Sequence, residues 1–169
     1  MKRILETERL LLRNLELSDV DCIHDYRNNP DCARYQRWEI FSKEALRQWI
    51  PQFRDDAFLS IKEEQHYAVC DKQTGALVGE LAYFYRENDC ITLGITISYQ
   101  QQKQGYAFEM LTEVIRQIRA RYPALDIVAL IEPENGKSIR LFERLGFVQE
   151  CYAESIASCV YVLYGVNHH

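Results

Sequence analysis

Six consecutive residues, Gln102-Lys103-Gln104-Gly105-Tyr106-Ala107, follow an apolar run and precede a stretch with helical periodicity. A helix opening there presents backbone N–H groups that have no intrahelical acceptor, together with the positive end of its dipole, and both attract anions. Gly105 permits close backbone approach, and the small Ala107 keeps the first turn uncrowded. Gln102 and Lys103 can add donors. By residue chemistry the segment is a cradle for a pyrophosphate; its blander reading is a polar loop entering an ordinary helix. Neither GxGxxG nor GxxxxGK[ST] occurs anywhere in the chain, so two other phosphate cradles are set aside.

A second constellation runs from Asn135 to Phe147, Asn-Gly-Lys-Ser-Ile-Arg-Leu-Phe-Glu-Arg-Leu-Gly-Phe. Asn135 is a good N-cap, Ser138 falls in the first helical turn, and Gly146 suits a left-handed C-terminal cap.

The elements that must position these residues are legible around them. Leu10 to Leu15 fits an early strand. Ser18-Asp19-Val20-Asp21 resembles a capping box that opens a helix ending before Pro30. Ser42 can cap a second helix with Ala45, Leu46, Trp49 and Ile50 on its apolar side, ended or interrupted by Pro51. Tyr67–Cys70, Ala76–Tyr85 and Cys90–Ser98 read as three strands joined by turns at 72–75 and 86–89, hence antiparallel. From Gly105 to Arg121, Ala107, Met110, Leu111, Val114, Ile115 and Ile118 follow helical spacing. Ile127–Ile131 is a continuous apolar run expected of a strand covered on both faces. A helix from Asn135 to Leu145 and two strands, near 147–151 and 159–166, complete the chain. The expected class is α/β (α+β), a mostly antiparallel sheet flanked by helices, in one domain over residues 1–169.

Composition narrows the function classes. The net charge of −5 without a block of like charges disfavours nonspecific nucleic-acid binding. No apolar run approaches the ~18 residues of a membrane span, and the N-terminus is charged before any signal-like stretch. Cys22, Cys32, Cys70, Cys90, Cys151 and Cys159 are scattered without metal-ligand spacing, so no metal is expected and they read as reduced, mostly buried thiols of a cytoplasmic protein.

On these residues the chain resembles the GNAT N-acetyltransferase superfamily. Gln102–Ala107 matches its Q/R-x-x-G-x-G/A signature, and Asn135–Phe147 its N-x-x-S-x-x-L-[YF]-E-x-x-G-F helix. Thr7-Glu8-Arg9-Leu10-Leu11-Leu12-Arg13 is similar to the opening of the ribosomal-protein N-terminal acetyltransferase branch.

The resemblance implies acetyl-CoA as co-substrate, lying where two neighbouring strands splay apart. It implies that Gln102, Lys103, Gln104, Gly105, Tyr106 and Ala107 hold the pyrophosphate. Ile95 and Ile97 would pair with the pantetheine arm, and Asn135, Ser138 and Phe142 would line the cofactor side. Gly94 would mark the bulge that opens the gap, or be only a small residue under a helix. A backbone N–H near Ile97 would stabilise the oxyanion formed when a primary amine attacks the thioester. Many relatives place a tyrosine acid where this chain has Phe142, which cannot donate a proton.

Ser138 is the substitute donor; its alternative is a helix-first-turn serine bonded to the backbone. Glu80 is the expected base, although alternation also allows it a solvated face, and Glu132 with a water relay is the alternative. Tyr83, Phe84 and Tyr85 would line an acceptor pocket or belong to the core. His24, His66, His168 and His169 fall in none of the motifs. The acceptor is a peptide N-terminus or a small amine, a homodimer is compatible with the resemblance, and the competing class is an acyl-CoA sensor without turnover.

Overall fold

Leu10, Leu11 and Leu12 are all buried, yet they face opposite sides of one sheet. Leu10 and Leu12 join the larger apolar core and Leu11 the smaller one, as the two-residue period of a strand requires. The computed structural model describes residues 3–35, 42–54, 58–59, 64–86 and 90–166. The pair His168–His169 and part of the turn at 86–89 lie outside the described residues.

Strands β1 (Arg3–Glu6) and β2 (Leu10–Asn14) precede three helices, α1 (Val20–Asn28), α2 (Pro30–Ala33) and α3 (Lys43–Trp49). A meander of β3 (Gln65–Asp71), β4 (Leu77–Arg86) and β5 (Cys90–Ile97) leads into α4 (Tyr106–Arg121). Then come β6 (Asp126–Ile131), α5 (Gly136–Arg144), β7 (Val148–Ala153) and β8 (Ser158–Leu163). The strands form one sheet in the order β1-β2-β3-β4-β5-β6-β8-β7, antiparallel throughout except for β5 beside β6. The larger core fills the face under α4 and α5, where Met110, Leu111, Val114 and Ile118 are buried as one helical stripe. Ile23 and Tyr26 of α1 and Leu46 of α3 build the smaller core on the other face.

Four local expectations change. The short edge strand β1, of which only Leu5 is buried, was too brief and polar to stand out. The turn into α1 is closed two residues earlier than Ser18 suggests: Asp19 Oδ2 accepts from Glu16 N–H at 2.8 Å and also holds the buried Arg13 at 2.8 Å. Leu130 on β6 is 41% exposed, so that strand is covered on one face only. Cys151 is exposed rather than buried.

The end of α5 explains its motif. Phe147 N–H donates to Phe142 C=O at 3.0 Å and Gly146 N–H to Glu143 C=O at 3.0 Å, with Gly146 at φ +96. The Phe142 and Phe147 rings meet edge to face at 5.0 Å. This is the Schellman closure with its apolar contact, so Phe142 is an anchor of the helix end.

Candidate active site

The parallel pair β5–β6 is joined by only three rungs, Cys90–Asp126, Ile91–Ile127 and Thr92–Val128. Beyond them β5 stays with β4 as far as Ile97–Gly79, while β6 stays with β8 as far as Ile131–Cys159. Residues 93–97 and 129–131 therefore border a wedge with no rungs between them. No bulge at Gly94 opens it, because the β4–β5 register runs without a shift from Arg86–Cys90 to Gly79–Ile97. Nor is Gly94 packed under a helix: a Cβ placed there would meet nothing within 4 Å. The wedge comes from divergence of the strands, and Gly94 leaves its floor empty.

Both strands run the same way, so both lead into a helix at the same edge, and the N-termini of α4 and α5 flank the wedge. The connection into α4 is a folded loop. Gln101 N–H donates to Ser98 C=O at 2.8 Å, and Gln102 Nε2 turns back to Ile97 C=O at 3.1 Å. Gln104 Nε2 reaches Gln101 Oε1 at 3.2 Å. These two side chains shape the loop instead of extending toward a ligand, which corrects the donor role expected of Gln102. Lys103 and Gly105 are both left-handed, at φ 66 and φ 79, and Lys103 is exposed. The ladder of α4 starts at Glu109 N–H to Gly105 C=O, and no side chain caps the helix. The amides of Tyr106, Ala107 and Phe108 precede that first bond, as an anion site requires.

A clasp fixes this helix end. Glu109 accepts from Thr7 Oγ1 at 2.5 Å, Arg9 N–H at 3.0 Å and Arg9 Nε at 2.7 Å, and the Arg9 guanidinium stacks on Tyr106 at 4.6 Å. Thr7, Arg9 and, through Asp19, Arg13 account structurally for the opening motif.

Across the wedge, Asn135 Oδ1 caps α5 by accepting from Ser138 N–H at 3.3 Å. Ser138 is half-buried, and its hydroxyl has no hydrogen-bond partner among the described residues. The backbone-bonded reading applies to its N–H, not to its Oγ. Phe142, 3% exposed, faces the core. Tyr83 is buried in that core too, whereas Phe84 projects to the other face.

Glu80 is neither solvated nor free. It is 4% exposed and accepts from Tyr26 OH at 2.8 Å, Arg27 Nε at 2.9 Å and Arg27 Nη2 at 2.9 Å. Burial pushes its carboxyl up, but the His66 ring and the Arg27 guanidinium outweigh that and hold it at about 2. A carboxylate so held is a poor base, which corrects the role expected of it.

Sequence reasoning passed over His66. Its Nε2 lies 2.7 Å from Glu64 Oε1 and its Nδ1 3.7 Å from Glu80 Oε2. Trp49, Phe53 and Phe84 surround the ring at centroid distances of 4.8, 4.6 and 6.0 Å. No sequence signal marked it: counting back from the turn at 72–75 pairs His66 with Leu81, and only a register shift between Val69 and Cys70 pairs it with Ala82 on the Glu80 face.

Among the described residues no three His, Cys, Asp or Glu side chains gather to hold a metal, and no helix is long and apolar enough to cross a membrane.

A splayed parallel pair flanked by two helix N-termini defines an acetyltransferase of the GNAT class. The family profile for the acetyltransferase (GNAT) domain matches residues 9–148, and the chain belongs to that family. It is 27% identical to an uncharacterised N-acetyltransferase, p20, of Bacillus licheniformis, over 86% of this chain and 83% of the relative. A Vibrio cholerae protein provisionally assigned as a ribosomal-protein-serine acetyltransferase superposes with a TM-score of 0.79 at 26% identity, covering 96% of this chain and 97% of that one. The spermidine N-acetyltransferase of Vibrio cholerae, solved with CoA and spermine, superposes at 0.74 with 23% identity, covering 92% and 94%.

Proposed function

We propose that the chain, acting as one domain over residues 1–169, uses acetyl-CoA to acetylate a primary amine. The wedge between β5 and β6, with the uncapped amides of α4 at its mouth, carries this reading. Lys103, Gly105, Tyr106 and Ala107 bind the pyrophosphate, chiefly through backbone N–H groups, while Gln102 and Gln104 hold the loop. The unpaired edges of Ile95 and Ile97 take the pantetheine arm as a strand takes a partner. A main-chain N–H near Ile97 stabilises the oxyanion. Ser138 Oγ, free beside the mouth, assists departure of the thiolate, and Asn135 holds Ser138 in place.

The acceptor is a protein N-terminal amine or a small amine; similarity to both kinds of acetyltransferase supports this range. Acetyl-CoA and the free thiols Cys22, Cys32, Cys70, Cys151 and Cys159 both suit the cytoplasm. The test is thiol release from acetyl-CoA with spermidine, an alkylamine, glucosamine and peptides beginning with Ser or Ala. Release that depends on at least one amine is expected. Tight acetyl-CoA binding with no amine-dependent release would instead make the protein a sensor.

A further inference from the structure

We infer that the Gln102 side chain and the Cys32 thiol are positioning residues for the oxyanion: together they occupy the Ile97 carbonyl and leave the Ile97 N–H free to serve an anion. The inference rests on the acetyltransferase reading above and deepens it, by saying what makes this strand end a donor.

Two observations fix the direction of the backbone. Ser98 N–H donates across to Val78 C=O at 2.8 Å. The Ile97 carbonyl stands on the opposite side of that planar trans peptide, so it faces away from β4. The preceding peptide agrees. A Cβ built on Gly79 would stand 2.1 Å from the Thr96 carbonyl oxygen, so that oxygen faces β4 and the Ile97 N–H faces away from it. The N–H and C=O of Ile97 thus share one side, as they do for each residue of an extended strand. That side is the wedge, where β5 and β6 have no rung past Thr92–Val128.

An N–H and a C=O side by side suit a strand-like partner, but they do not suit an anion. An oxygen accepting from Ile97 N–H sits beside Ile97 C=O, and the negative end of that bare dipole would repel charge growing there. In this protein the carbonyl is taken. Gln102 Nε2 donates to it at 3.1 Å, Cys32 Sγ lies 3.6 Å from it, and the two donors are 3.8 Å apart. Cys32 belongs to α2 and is buried, so the carbonyl is held from the loop before α4 and from a helix on the other face of the sheet. Tyr99 OH donates to Asp25 at 2.9 Å and ties α1 to the same loop.

The two isoleucines therefore divide the work. Ile95 turns both its N–H and its C=O to the wedge and takes the pantetheine arm. Ile97, about 7 Å further along the strand, offers its N–H to the acetyl carbonyl. When the neutral amine adds to the thioester carbon, the carbonyl π pair moves onto oxygen and the Ile97 N–H stabilises it. The pair re-forms the C=O bond as the carbon–sulfur bond breaks with its electrons on sulfur.

The test separates positioning from mere support of the loop. Gln102→Met keeps the length of the side chain and removes its donor, while the Arg9–Glu109 clasp and the Gln101–Ser98 bond still hold the cradle. With the best amine of the panel, kcat should fall about tenfold, less than the roughly 10²–10³-fold for losing an oxyanion donor itself. Calorimetric affinity for CoA should be unchanged. Carbon-13 NMR of acetyl-CoA labelled at the thioester carbonyl needs no acceptor. The bound resonance should lie downfield of the free one in wild type and move back toward it in Gln102→Met. Cys32→Ala should move it the same way by less, and Cys32→Ser, which keeps a donor, should restore it. A fall in CoA affinity that matches the fall in kcat, or wild-type kcat and resonance in Gln102→Met, overturns the positioning role and leaves the acetyltransferase intact. If Gln102→Met does not fold, the Cys32 variants decide by the same readouts. A wild-type protein that releases no thiol with any amine overturns the acetyltransferase reading, and this inference with it.

Discussion

Phe142 and Ser138 share α5 but take different parts in it. The phenylalanine stands where many relatives carry a tyrosine acid, and its ring serves the helix end by packing on Phe147. Ser138 keeps a hydroxyl without a partner among the described residues in the first turn of the helix. If that hydroxyl assists thiolate departure, Ser138→Ala lowers kcat about tenfold and changes the KM for acetyl-CoA little, a split that steady-state kinetics reads directly. Equal kcat in the variant removes Ser138 from the chemistry. The size is modest because a thiol leaves tolerably without full proton transfer; its ordinary pKa is ~8.5.

At the scale of elements, the Arg27–Glu80 pair joins α1 to β4 inside the protein. Removing one partner of such a pair strands a buried charge, so Glu80→Gln is expected to cost about 3–5 kcal/mol, measured by denaturant unfolding. The pH dependence follows from the direction of the shift. The folded carboxyl sits at about 2 against an ordinary 4.5, so its stabilisation is complete above the ordinary value and is lost as pH falls from there toward 2. The loss amounts to about 3 kcal/mol, and it should be absent from Glu80→Gln in acid unfolding curves.

These same elements show what the sequence could reveal. The strands β2 to β5, the helices α4 and α5 and the Gly146 cap were legible because periodicity and turn chemistry are local properties. The cradle was legible as a segment, but the inward turn of the Gln102 side chain was not, since it depends on where Ile97 ends its strand. Glu80 was misread because alternation gives its face and not what covers that face; α1 brings Tyr26 and Arg27 there. The Glu64–His66 pair lay in no motif, and only the register shift between Val69 and Cys70, which turn chemistry does not reveal, puts His66 on the Glu80 face. Gly94 looked like a bulge, yet the gap comes from the course of β6, which leaves β5 to follow β8.

For the whole molecule, one topological fact organises the rest. A single parallel pair interrupts an otherwise antiparallel sheet, sending two strand ends and two helix starts to the same edge. Thr7 and Arg9 pin α4 to the N-terminal hairpin through Glu109, so the cradle is held by elements on the far side of the sheet from β6. The central claim is that this edge binds acetyl-CoA by its backbone. Gly105 is its most direct probe, because its left-handed φ of 79 suits no β-branched residue. Calorimetric titration of acetyl-CoA into wild type and Gly105→Val should give one site per chain in the first and binding weaker by about 5- to 30-fold in the second, as the αL penalty of ~1–2 kcal/mol implies. Equal affinity in a folded Gly105→Val protein would contradict the account.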